Sequence, residues 1–156
     1  MGQTNQSSSN NMVAEIELVY RSTVKPSERP QVKTSKECYD LLLQTWDADK
    51  IELVEQFKII LLNKSNRVLG IYTLSSGGLT ATIADPRLIF TAALKTSSCG
   101  IILSHNHPSG NLIPSNSDRQ LTDKIKAGGQ FLEIAVLDHI IVTTEGYYSF
   151  ADEGIL

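Results

Sequence analysis

Four apolar residues, Gly100-Ile101-Ile102-Leu103, run straight into Ser104-His105-Asn106-His107-Pro108. A run so short and so apolar is a buried strand, so the chain must build a sheet around it. Residues two apart on an extended segment share a side. His105 and His107 can therefore converge where this strand ends, with Asn106 pointing away. Pro108-Ser109-Gly110-Asn111 turns the chain, Ser115 opens a helix, and the first turn of that helix brings Asp118 back toward the histidines. Ten residues separate His107 from Asp118. Two imidazoles and a carboxylate make three ligands of a tetrahedral zinc shell, and a fourth position left to water distinguishes a catalytic site from a structural one. Zn²⁺ is the ion expected, and hydrolysis by a metal-activated water is the expected chemistry.

Taken alone, Ser115 and Asp118 read as a helix capping box; the His-x-His just upstream is what shifts the reading to a metal site. The third histidine, His139, reads either as a structural residue ending a strand or as a contact behind the metal site, oriented by Asp138. Other zinc patterns do not fit. A nucleobase deaminase needs His-x-Glu with a later Pro-Cys-x-x-Cys, and a zincin needs His-Glu-x-x-His on a helix. Cys38 and Cys99 are not spaced as a metal or redox pair and read as small core residues. Gly77-Gly78 reads as a turn, since no Gly-Lys-Ser/Thr follows it.

The rest of the chain supplies the elements such a strand needs. Ile16, Leu18 and Tyr20 alternate with Glu15, Glu17 and Val19, which predicts a strand over 14–21. Thr34, three residues before Glu37, predicts a capped amphipathic helix carrying Tyr39, Leu42 and Trp46 and ending near Asp49. Glu55–Leu62 and Arg67–Leu74 predict a hairpin turning at 63–66. A short strand is expected over 79–83, and Asp85-Pro86 predicts a helix start that runs to about Ser98. The Ser115 helix is expected to reach about Gln130, with strands over 131–142 and 147–150. These elements predict an α/β (α+β) domain, a mixed sheet flanked by helices in three layers, with its ligands at the carboxyl ends of strands. Residues 1–12 form a polar tail, 13–50 an N-terminal strand and helix extension, and 51–156 the main domain. A net charge of −3 and a pI near 5.6 disfavour a nucleic-acid backbone as partner. No signal peptide or apolar membrane span is read, so a cytoplasmic protein is expected. Oligomeric state is not legible.

From Glu55 onward the chain resembles the JAB/MPN domain with the JAMM metalloprotease motif, and within it the RadC-like branch. The motif runs Glu, then His-x-His, ten residues, and Asp, with a serine three before the Asp; here these are Glu55, His105, His107, Ser115 and Asp118. Leu103 to Asn111 with Pro114-Ser115, and Leu137 to Val142 followed by Tyr147 to Phe150, are similar to signatures of the RadC branch. The helix-hairpin-helix region usual in that branch has no counterpart in residues 1–33. The resemblance implies a cytidine-deaminase-like three-layer fold, zinc held by His105, His107 and Asp118, Glu55 as general base, Ser115 as oxyanion donor, and a protein or peptide substrate. Among the glutamates, the residues themselves leave Glu52, Glu55 and Glu133 in competition; the resemblance selects Glu55. It also implies an alternative, a DNA-repair-associated accessory protein with a structural or vestigial metal site. A protein-interaction module, as in metal-free relatives of the domain, is a third reading.

Overall fold

The computed structural model describes residues 12–77 and 84–156; the polar tail before Met12 and the strand expected over 79–83 lie outside them. The described residues form one five-stranded sheet in the order β2-β1-β3-β4-β5. Strand β1 (Gln56–Leu62) pairs antiparallel with β2 (Val68–Ser76) as the expected hairpin and, on its other edge, antiparallel with β3 (Gly100–Asn106). Strand β4 (Ala135–Val142) runs parallel to β3, as a crossover through a helix requires, and β5 (Tyr147–Ser149) closes the sheet antiparallel to β4. The apolar strand that anchored the sequence reading is thus the central one, and all seven of its residues are buried.

Side chains alternate across the sheet, so each strand feeds two cores. On one face, helix α1 (Ser35–Thr45) packs Cys38, Tyr39 and Leu42 over Ile60, Leu62, Ile102, Ile140 and Val142. On the other, α2 (Pro86–Lys95) and α3 (Asn116–Leu132) place Ile89, Ala93 and Ile125 over Ile59, Leu61, Ile101 and Leu103. Burying each of these large side chains is worth roughly 1.5–3 kcal/mol. The caps lie where the sequence puts them: Thr34 and Glu37 form a reciprocal box, and Asp85 accepts from the Arg87 N–H with Pro86 in the first turn. Among the described residues no helix is long and apolar enough to cross a membrane.

Several expectations are corrected. Residues 14–21 form no strand. Ile16 and Leu18 are 88% and 80% exposed; contact with the body comes through Val19, half-buried beside Leu61 and Ile71, and the Tyr20 hydroxyl, which donates to the Leu69 carbonyl. Alternation creates a face, but a strand needs a neighbour. The start of β2 is instead met by residues 30–32: Val68 N–H donates to the Pro30 carbonyl and Val32 N–H to the Asn66 carbonyl. Helix α1 stops at Thr45 rather than Asp49, and α2 at Lys95 rather than Ser98. Helix α3 continues through Leu132, so Phe131 and Leu132 are helical and β4 begins at Ala135. Gly129 makes that tight exit feasible, because a Cβ there would lie 2.4 Å from the Ile134 carbonyl oxygen. Finally, Cys38 is buried as expected but Cys99 is exposed at the mouth of β3.

Candidate metal centre

His105 lies on the α2/α3 face near the end of β3, opposite Phe57 of β1 and Ile141 of β4. It is buried, with the Phe57 ring parallel to it at 6.0 Å. His107 is held in line one step beyond the strand, where its N–H donates to the Val142 carbonyl at 3.1 Å. The following turn closes on Gly110, whose φ of 83° favours glycine and whose N–H donates to the His107 carbonyl at 3.0 Å. That turn brings the Asn111 carbonyl to His107 Nδ1. A carbonyl only accepts, so Nδ1 carries the proton and Nε2 presents a lone pair.

The Nε2 atoms of His105 and His107 are 3.0 Å apart. Asp118 places Oδ1 at 3.4 Å from His105 Nε2 and Oδ2 at 3.8 Å from His107 Nε2, while Glu55 Oε1 is 3.8 Å from His107 Nε2. Ligand atoms of Glu55, His105 and His107 lie within 4.8 Å of one another. Four groups from three places in the chain therefore converge at the carboxyl end of the central strand. The capping and metal readings of Asp118 prove compatible. Its Oδ2 accepts the Ser115 N–H at 2.8 Å and its own N–H donates to Ser115 Oγ at 3.1 Å, while the carboxylate still faces the imidazoles. Burial would raise the Asp118 carboxyl, but the adjacent His105 and the hydrogen bonds with Ser115 outweigh it and hold the group well below the usual carboxylate range.

Glu55 precedes β1 in a loop held by Asn106. The Asn106 amide donates to the carbonyls of Ile51 and Val54 at 2.7 and 2.9 Å and accepts the Gln56 N–H at 2.7 Å. The Glu55 carbonyl accepts from Gly77 N–H at 2.8 Å. Asn106 does point away from the metal side, as its position between the histidines predicts, and in doing so it fixes the backbone on both sides of Glu55. Of the competing glutamates, Glu52 accepts from the Thr144 hydroxyl at 2.8 Å and Glu133 ends α3, and neither joins the cluster of ligand atoms around His105 and His107.

His139 sits behind His105, completely buried, with Nε2 at 2.8 Å from His105 Nδ1. Burial, followed by the charge of His105, pushes its pKa well below the ordinary imidazole range. Asp138 does not orient this ring. Neighbours on a strand face opposite ways, and the Asp138 carboxylate is turned to the other face, where it accepts from Ser149 Oγ at 2.6 Å, Ala151 N–H at 3.0 Å and its neighbour's N–H at 2.7 Å. The partner of the ring is Thr122, whose Oγ1 is 2.7 Å from His139 Nδ1. The sequence reading missed Thr122. Its signal was the spacing of four from Asp118, which stacks the two on one helix face.

A divalent cation suits this arrangement. With both Nδ1 atoms engaged elsewhere, two imidazole nitrogens confront each other at 3.0 Å. A cation shared by these two nitrogens would have the carboxylates of Glu55 and Asp118 beside it.

A family model described as RadC-like JAB domain matches residues 32–155. The UPF0758 protein of Flavobacterium johnsoniae is 50% identical over 101 residues, covering 65% of this chain and 44% of that protein. UPF0758 proteins of Symbiobacterium thermophilum and Rubrobacter xylanophilus are 36% and 37% identical over 145 residues, in each case 93% of this chain and 61% and 63% of theirs. The chain thus spans less than two thirds of the length of each of these relatives. The match takes in α1, the whole sheet and the histidine cluster, and on it the chain belongs to the RadC-like JAB domain family.

Proposed function

We propose that this chain is a zinc-dependent hydrolase of amide bonds, a JAMM-type metallopeptidase acting on a protein or peptide substrate. His105, His107 and Asp118 hold the ion, Glu55 is general base and then general acid, and Ser115 is an oxyanion donor. The observation that carries this reading is the pair of Nε2 atoms 3.0 Å apart beside two carboxylates. A bound zinc would supply a water acidified to a pKa of about 7 and would polarise the scissile carbonyl.

The chain's own residues do the rest. Glu55, fixed through its backbone and half-buried beside His107, takes the proton from the attacking water and returns it to the leaving amine, so the carboxyl ends the cycle as it began. Ser115 Oγ accepts from the Asp118 N–H, which leaves its own O–H free to donate to the oxygen of the tetrahedral intermediate. Beside His107 a cleft of about 140 Å³, walled by Ile51, Glu52, Thr143, Thr144 and Glu145, offers room for a substrate group flanking the bond. Two free cysteines, one of them exposed, suit a reducing compartment such as the cytoplasm.

Elemental analysis of protein purified without chelator is expected to show one zinc per chain, lost in His105→Ala. Protein that carries no zinc, or a His105→Ala variant that keeps it, overturns the assignment.

A further inference from the structure

Three hydrogen bonds in series run from the metal side into the core. The Thr122 hydroxyl has one proton, and the Asp118 main-chain carbonyl 2.7 Å away can only accept it. That commitment leaves Oγ1 a lone pair for His139 Nδ1, which must then carry the proton of their 2.7 Å bond. A neutral imidazole holds one proton, so His139 Nε2 is an acceptor, and His105 Nδ1, 2.8 Å away, donates to it. His105 Nε2 is left bare on the side where His107 and Asp118 lie. In this arrangement every polar atom of the relay from the Asp118 carbonyl to His105 Nδ1 has a partner. His139 is fully buried, its ring stacked on Phe150 at 4.6 Å and met edge-on by Phe57 at 5.7 Å, so its orientation is fixed.

We infer that Thr122 and His139 are positioning residues that dictate the tautomer of His105, keeping its Nδ1 protonated so that the Nε2 lone pair faces the cation. The inference rests on the metal reading above and adds to it a device within the fold. The relay also closes a loop through β3, β4 and α3, because Thr122 bonds back to Asp118, another of the proposed ligands. One hydroxyl thereby links the placement of the carboxylate to the protonation pattern of the imidazole.

Thr122→Val keeps the shape and deletes the acceptor. His139 Nδ1–H then lacks a partner, the ring is free to carry its proton on Nε2, and His105 is driven to the tautomer with Nε2–H, the wrong one for a ligand. Zinc affinity, measured by competition with a chromogenic chelator, is expected to fall about 10- to 100-fold. Long-range ¹H–¹⁵N spectra of metal-free protein at about pH 8, where imidazoles are neutral, are expected to show wild-type His105 protonated at Nδ1 and the variant shifted toward Nε2. Thr122→Ser, which restores the hydroxyl, is expected to recover both readouts. If Thr122→Val does not fold, the wild-type spectrum decides alone: His105 protonated at Nε2 overturns the inference. Zinc binding within about twofold of wild type and an unchanged tautomer in Thr122→Val also overturn it while leaving the metal reading intact. If wild type takes up no zinc, the metal reading fails and the inference falls with it.

Discussion

Asp138 and His139 are adjacent in sequence and serve opposite faces of the sheet. On the α1 face the buried polar side chains of Asp138, Asn106 and Lys58 are each engaged locally. Asp138 accepts from Ser149 and two main-chain N–H groups, Asn106 holds the loop before β1, and the Lys58 ammonium lies 4.4 Å over the Trp46 ring and donates to the Thr45 carbonyl. On the α2/α3 face the imidazoles satisfy one another on one side only, and end in two nitrogens aimed at the same point. Polar groups closed upon the backbone hold a fold together; a polar cluster closed only when something is added is built to bind.

That contrast can be broken by separating chemistry from stability. The largest effect is expected from Glu55→Gln on the binding side: amidase turnover falls about 10²- to 10⁴-fold while zinc content and thermal midpoint stay near wild type. Loss of zinc or of stability in that variant would erase the distinction between the two faces. Next comes Asn106→Ala on the other side. It strips partners from Gln56 N–H and the Ile51 and Val54 carbonyls, so stability by denaturant titration is expected to drop by about 3 kcal/mol, with zinc affinity changed far less.

The smallest effect sharpens the comparison through pH. Asp118 is held below the ordinary carboxylate value of 3.8, so in chelator-treated protein its contribution is complete above that pH and is lost as pH falls through the folded value. Burial, against its hydrogen bonds, raises Asp138 above the same value; its contribution is complete below pH 3.8 and is lost as pH rises through the folded value. Stability differences between wild type and Asp118→Asn should therefore shrink on acidification. Those against Asp138→Asn should shrink as the pH climbs from about 4. Parallel pH profiles for the two variants would show that the faces are electrostatically alike.

Much of this was legible in the residues themselves. Gly100 to Leu103 announced the central strand, Thr34, Asp85 and Ser115 marked the helix starts, and the spacing of His105, His107 and Asp118 brought them to one place. Those signals are local: a cap, a period of two, a short apolar run. The alternating stretch over 14–21 misled for the same reason, since periodicity reports a face and says nothing of a neighbour to cover it. Cys99 misled because apolar neighbours in sequence do not guarantee burial at a strand mouth.

By itself the sequence determined the side of β3 on which His105 emerges and the opposite side on which Asn106 does, because the alternation of β-structure is a property of the backbone. Only the tertiary structure decided which groups stand behind those side chains. Thr122 on α3, His139 on β4 and Asn106 on β3 reach their partners across sequence separations of 17, 34 and about 50 residues. Such pairings are set by how helices and strands pack, and no local pattern encodes them.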